Sequence, residues 1–236
     1  QKKGMKVTRL SVQNEPNAVQ LWDSCLYTAE EEKTFLQNHL YPALVEHGLS
    51  EVQLFIWDHN KERLFERAET CITPDTDNMI SGMAFHWYSG DHFDAVRLVN
   101  EKFPNKVLAF SEGCIEYSRF EKGQALKHAQ MYAHDMIGNL KAGMNLFLDW
   151  NIVLNENGGP NYAQSYCEAP IICNTKTGEV IHKTSFYYIA QFSKYIKSGA
   201  KRIATTCYSE TIEVVAFENP DRSIAVVLLN RTEENL

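Results

Sequence analysis

The stretch V-T-R-L-S-V-Q-N-E-P, residues 7–16, decides how this chain is read. Val7 to Val12 is a short apolar run of strand type, and Asn14, Glu15 and Pro16 follow at its C-terminal end. A carboxylate beside a carboxamide at that point serves as a salt-bridge partner, a metal ligand or a proton donor, and the rest of the chain has to choose. The same design recurs downstream. Glu51 to Trp57 (EVQLFIW) closes on Asp58 and His59, and Met79 to His86 closes on Trp87 and Tyr88. Lys106 to Phe110 closes on Glu112, and Asn145 to Trp150 closes on Asn151.

Helical patterns separate these strands. Thr28 and Glu31 have capping-box spacing ahead of Leu36, Leu40 and Leu44, and Gly48 ends that helix. KERLFERAE is a short amphipathic helix. Phe93, Val96, Val99 and Phe103 share one helical face stopped by Pro104, and a long helix from Ala125 closes at Gly143. Apolar strands alternating with helices predict a parallel sheet covered on its faces, of the α/β class. No glycine-rich fingerprint follows any strand, which argues against an open nucleotide-binding sheet. Polar and aromatic residues at successive C-terminal strand ends are what a (β/α)8 TIM barrel presents at its top face. Five such units are predicted, over residues 1–151.

After Trp150 the pattern changes. Residues 152–183 read as an inserted loop and a β-hairpin, IICNTKTGEVIHK, with its turn near Lys176 to Gly178. Residues 184–199 carry the last barrel helix. In 200–236, ETIEVVAF and SIAVVLL flank the turn ENPDR, as in the start of an all-β sandwich domain.

With 236 residues, 44% of them hydrophobic, the chain can bury a sizeable core. A net charge of −7 with both signs interspersed argues against nucleic acid or an anionic membrane as the main partner. No apolar run approaches the ~20 residues that span a bilayer. The six cysteines contain no C-x-x-C pair, which fits thiols in a reducing compartment better than a disulfide framework. The chain opens QKKGMK without an initiator Met or a signal-peptide pattern, as a processed or truncated product does, so both a cytoplasmic and a secreted location fit.

Glu15 and Glu112 are the carboxylates that stand out by position. If their strands belong to one barrel, both reach a shared top cavity. A retaining glycosidase needs this pair, one carboxyl protonating the leaving oxygen and the other attacking the anomeric carbon across about 5–5.5 Å. Charge repulsion and partial desolvation are then expected to hold the donor protonated near neutral pH. Asn14 offers an amide to a sugar hydroxyl, or forms a turn. His86 orients the nucleophile and Tyr88 donates to it, whereas a lone histidine on such a run is more often a satisfied core residue. Trp150 suits stacking on a sugar ring as well as core packing. Asp58, His59 and His86 suggest a metal-dependent barrel hydrolase, but no metal-ligand spacing supports it and no metal or other cofactor is expected.

Read together, V-Q-N-E-P (12–16), F-H-W-Y (85–88), F-S-E-G-C (110–114), D-W-N (149–151) and G-G-P-N (158–161) resemble family 30 of the glycoside hydrolases, the family of acid β-glucosidase. The resemblance extends over F-Y-Y-I-A-Q-F-S-K-Y-I (186–196) and V-V-L-L-N-R (226–231). It implies Glu15 as acid/base, Glu112 as nucleophile, Asn14, His86, Tyr88 and Trp150 in the glycone site, and Asn161 at the site mouth. It also implies a (β/α)8 barrel with an attached β-sandwich and a metal-free double displacement on a carbohydrate or glycolipid. The family's substrates span glucosylceramide, β-1,6-glucan, β-xylosides and glucuronoxylan. By the same resemblance the chain begins late in the third barrel helix, and the isolated polypeptide is expected to be poorly soluble or inactive. A carbohydrate-binding or inactive remnant is the non-catalytic alternative.

Overall fold

The structure, a computed structural model, describes residues 4–235; Gln1, Lys2, Lys3 and Leu236, at the outer limits of the expected barrel and sandwich segments, lie outside them. The chain forms two compact units, one running through Gly113 and including Ala142–Leu148, the other holding Cys114–Lys141 and Asp149 onward.

The first unit is built on five parallel strands hydrogen-bonded in chain order: β1 (Arg9–Ser11), β2 (Gln53–Asn60), β3 (Gly82–His86), β4 (Val107–Glu112) and β5 (Leu146–Phe147). Leu54–Trp57 and all of β3 are buried, as strands covered on both faces require. The outer strands β1 and β5 are shorter than the apolar runs that predict them, and β3 starts at Gly82 because Thr76 to Ile80 forms a turn instead. Phe55, Ala84 and Ala109 form one side-chain layer, with Val107 and Leu146 packed against it. Side chains two apart on a strand share a face, so Gly82, Ala84 and His86 line up along β3. At Gly82 a Cβ would lie 2.2 Å from the Val107 carbonyl oxygen and 2.6 Å from the Phe55 ring. Gly82→Ala is therefore expected to destabilise the protein by about 2 kcal/mol or more, read from denaturant unfolding.

The helix after β1 begins with the expected reciprocal cap. The Glu31 N–H donates to Thr28 Oγ1 at 3.2 Å, and the Thr28 N–H donates to Glu31 Oε2 at 2.9 Å. It does not continue as one α-helix. α1 (Ala29–Phe35) passes through a π-helical turn at Leu36–Leu40 into α2 (Tyr41–Glu46). The wider turn rotates the helical face beyond it, so Leu36 is fully buried while Leu40 and Leu44 are only partly so. α3 (Leu64–Cys71) follows a short 3₁₀ turn and packs against α1, β2, β3 and α4 (Phe93–Lys102), whose Val96 and Val99 face the core.

The second unit contains α5 (Ala125–Ala142) but for its last residue, and α6 (Thr184–Tyr195). β7 (Ile171–Cys173) and β8 (Val180–His182) form the expected hairpin, and β6 (Val153–Asn155), a strand the sequence does not announce, joins β7 in parallel. β10 (Ile212–Glu218) and β11 (Ile224–Asn230) pair antiparallel around the expected turn, with β9 (Lys201–Ile203) added on the other side of β10. On β11, Ala225, Val227 and Leu229 are buried, and Ile224, Val226 and Leu228 are exposed. The Cys114 thiol donates to the Cys167 sulfur at 3.2 Å, and the described residues contain no disulfide.

Candidate active site

Two bulges shape the C-terminal ends of the strands in the first unit. On β2 the register against β3 shifts between Trp57 and His59, with φ of 75° at Trp57 and 50° at Asp58. On β4 the pairing passes from Phe85↔Phe110 to His86↔Glu112, so Ser111 is the extra residue. A bulge leaves its residue unpaired and re-aims the strand. Here the two extra residues meet, with Ser111 Oγ donating to Asp58 Oδ1 at 2.5 Å.

Glu15 sits just past β1 with φ of 48°, its N–H donating to the Asp58 carbonyl at 2.9 Å. Its carboxylate is buried and accepts from Gln20 Nε2. Across the site lies His86, with no solvent exposure. Its Nδ1 is 3.3 Å from Glu15 Oε1, and its Nε2 is 3.1 Å from Asp58 Oδ1 and 3.9 Å from Glu112 Oε2. The Tyr88 hydroxyl donates to Glu112 Oε1 at 3.1 Å. One carboxylate oxygen from each of Glu15 and Glu112 and a ring nitrogen of His86 all lie within 4.8 Å of one another.

Three carboxylates around one buried imidazole set the charge. Burial opposes protonation of His86, but hydrogen bonds to Asp58 and Glu15 and the nearby Glu112 charge outweigh it, and the pKa rises to about 9. Burial would raise Glu15, yet its hydrogen bond and attraction to His86 hold it below the ordinary carboxylate range. Asp58 is held down in the same way, against burial. Burial, reinforced by the Glu15 charge, pushes Glu112 up to about 7 against the pull of His86 and Tyr88. The two shifts run opposite to the order expected for Glu15 as the protonated donor. The imidazolium lies closer to Glu15, so of the two carboxyls it is Glu112 whose protonated form the resting site favours.

These shifts have a sign. A folded state that holds protons on Glu112 and His86 more tightly than the unfolded chain does loses stability as pH rises. The Glu112 contribution fades from about pH 4.5 through about 7, and the His86 contribution from about 6.5 through about 9. The depressed Glu15 and Asp58 act oppositely, losing their contribution as pH falls through their lowered values. Melting is expected at a temperature at least about 5 °C lower at pH 9 than at pH 5.5, by calorimetry, with the His86 part of the difference lost in His86→Gln and the Glu112 part retained.

Asn14 is next to Glu15 and exposed. Trp150, about half exposed, and Asn161, exposed after the cis Gly159–Pro160 bond, belong to the second unit. There, burial raises Asp149 to about 7 although the Tyr132 hydroxyl donates to it at 3.0 Å. Among the described residues, the group close enough to close on a cation is Glu15, His86 and Glu112, not Asp58, His59 and His86. His59 is buried, and its Nδ1 makes no hydrogen bond within the structure. Gln20, Ser111 and Asn60, whose Oδ1 accepts the Tyr88 N–H at 2.9 Å, carry no sequence signal that singles them out.

Comparison with known proteins gives this site its context. Residues 1–196 match the glycosyl hydrolase family 30 TIM-barrel domain. The chain belongs to glycoside hydrolase family 30. Residues 199–236 match the family 30 β-sandwich domain, so the five-stranded sheet is part of a (β/α)8 barrel and β9–β11 begin the sandwich. The family 30 chain is 31% identical to mouse lysosomal acid glucosylceramidase over its full length and 48% of that protein. SrfJ from Salmonella typhimurium superposes with a TM-score of 0.93 at 41% identity, over 98% of this chain and 52% of SrfJ. The endo-β1,6-glucanase BT3312 superposes with a TM-score of 0.87 at 26% identity, over 99% of this chain and 53% of the glucanase. The chain thus spans about half the length of the relatives it matches. Among the described residues, no helix is long and apolar enough to cross a membrane.

Proposed function

We propose that this family 30 chain contributes the reacting carboxylates of a retaining β-glycosidase, with Glu15 as acid/base and Glu112 as nucleophile. The observation that carries the reading is the pair itself: two carboxylates from separate strand ends, oxygens within 4.8 Å, with Tyr88 donating to Glu112. That spacing suits direct attack at the anomeric carbon and leaves no room for an intervening water. Glu112 attacks C1 and the glycosidic C–O bond breaks. The leaving oxygen takes its proton from Glu15, which then accepts one from the water that releases the sugar. Asn14, Trp150 and Asn161 are proposed as further sugar contacts.

Turnover needs the proton on Glu15, and the resting electrostatics favour Glu112. The two carboxyls flank His86 and titrate as one system, so a substrate hydroxyl donating to Glu112 moves the shared proton toward Glu15. The raised Glu112 favours a second reading in which the roles are exchanged. Trapping with a 2-deoxy-2-fluoro glycoside separates them, because the labelled peptide contains Glu112 in the first case and Glu15 in the second. Initial-product NMR tests the class: the β-anomer must appear first, and an initial α-anomer overturns retention.

For the substrate, a β-glucoside with an amphiphilic aglycone of the glucosylceramide kind is the favoured reading. The segment after Glu15 exposes Val19 by 79%, Leu21 by 94% and Leu26 by 56%, an apolar surface next to the proposed proton donor. A β-1,6-glucan is the alternative, after BT3312. Faster hydrolysis of a β-1,6-gluco-oligosaccharide than of detergent-dispersed glucosylceramide reverses this order. In either case a chelator leaves the rate unchanged.

A further inference from the structure

The network that holds the carboxylates extends behind them to α1 and α3. Past Trp57 strand β2 leaves its register, and a strand that leaves its ladder exposes backbone groups that need other partners. The Trp57 N–H finds Glu32 Oε1, from α1, at 2.9 Å. The other Glu32 oxygen is 3.0 Å from Arg67 Nη1, from α3, and both side chains are buried. Arg67 Nη2 donates to Asn17 Oδ1 at 3.0 Å and to the Tyr27 carbonyl at 3.2 Å, gripping both ends of the segment that leaves Glu15. The guanidinium also lies 4.7 Å from the Trp57 ring.

Two lines of contact run from this ion pair into the site. One passes through the Trp57–Asp58 bulge: the Asp58 carbonyl takes the Glu15 N–H, and the Asp58 carboxylate takes His86. The other passes through Trp57 Nε1, which donates to the Asn60 carbonyl at 2.9 Å; Asn60 Oδ1 then holds the Tyr88 backbone, and the Tyr88 hydroxyl reaches Glu112. Stability alone does not require such a pair, because well-packed apolar side chains commonly replace a buried ion pair at no loss. What apolar groups do not supply is a planar fork with fixed bond directions.

We infer that Glu32 and Arg67 are positioning residues of this site, fixing the Trp57–Asn60 bulge and through it both the seat of His86 between the carboxylates and the aim of Tyr88 at Glu112. The kinetic part of the inference rests on the proposed hydrolytic reading; the geometric part does not.

The test tracks the His86 titration by NMR in the full-length protein, together with kcat and KM. His86 is faced by Glu15, by Asp58 and His59 of β2, by Tyr88 and by Glu112, all retained in the variants. In Arg67→Met, loss of a cation acting through charge alone would raise the His86 midpoint, whereas loss of positioning lowers it. The double variant Arg67→Met/Glu32→Gln leaves no unpaired buried charge and serves where the single variant fails to fold. The expected result is a His86 midpoint lowered by one pH unit or more from about 9. With it comes a fall in kcat of about 10²-fold, as small misplacements cause, at nearly constant KM. A midpoint that stays or rises in the folded double variant overturns the inference, whatever the activity. A lowered midpoint in a protein that hydrolyses no glycoside overturns the hydrolytic reading and leaves the positioning intact.

Discussion

Glu112→Ala in the full-length protein is expected to lower kcat/KM for an aryl β-glucoside by at least about 10⁴-fold, since no neighbouring group replaces an attacking carboxylate. Azide then restores part of the rate. It occupies the space the side chain leaves, forms the C1–N bond as the C1–O bond breaks, and the aryloxide departs with the electron pair and a proton from Glu15. The product of that rescue decides the role. Single displacement on a β-glycoside yields the α-glycosyl azide, so recovery of the α-azide assigns attack to Glu112. A β-azide would arise only from an intact covalent intermediate. It would make Glu112 the acid/base, as its pKa of about 7 in the resting site favours. Unimpaired turnover in this variant removes Glu112 from the chemistry altogether.

Glu15→Gln gives the second large effect, and its size depends on the leaving group. Positioned proton transfer contributes about 10²–10⁴-fold, and only where the departing oxygen needs a proton. Alkyl or sphingoid leaving groups, being strongly basic, are expected to lose about 10³-fold or more, while a dinitrophenyl glycoside loses less than about tenfold in the glycosylation step. With the second step also lacking its base, a burst of dinitrophenol is followed by slow turnover, and azide accelerates the slow phase to give the β-glycosyl azide. Equal losses across leaving groups would show that Glu15 acts on geometry or charge and not by donating a proton. Glutamine keeps the side-chain shape and a possible Gln20 contact but removes the anion that faces His86, so the His86 titration falls in the same variant.

Much of this was legible from residues alone, because strand-end chemistry is local. Glu15, Glu112, His86 and Tyr88 each follow or close an apolar run, and the parallel sheet brings those ends to one side. The Thr28–Glu31 cap and the turn of the β10–β11 hairpin were legible for the same reason. What sequence pattern misses is anything set by a partner far along the chain. Glu32 looks like one of three acidic residues in a first helical turn, yet its carboxylate is buried against Arg67, 35 residues on. The π-turn at Leu36–Leu40 breaks the i, i+4 pattern without a glycine or proline to mark it. β6 and β9 are three residues each, too short for an alternation to show. The directions of the two carboxyl shifts depend on which of them the imidazole approaches more closely, and only coordinates supply that.

The pairing of Ser111 with Asp58 bears on which sequence changes this fold tolerates. Side chains on a strand alternate between two faces, but a residue that the pairing skips leaves those after it on the faces their partners set. Removing Ser111 would restore an unbroken ladder with the carboxylate still opposite His86, and would take away the hydroxyl that holds Asp58. Removing Asp58 would likewise leave Asn60 opposite His86 and take away the carboxylate that holds the imidazole. A length change at residue 58 or 111 thus costs the site a partner without reversing the sheet, whereas one within the regular part of either strand reverses every side chain beyond it. Relatives that differ in loop length on this side of the sheet are expected to place the difference beyond Asn60 and Glu112, never between those residues and the strands that carry them.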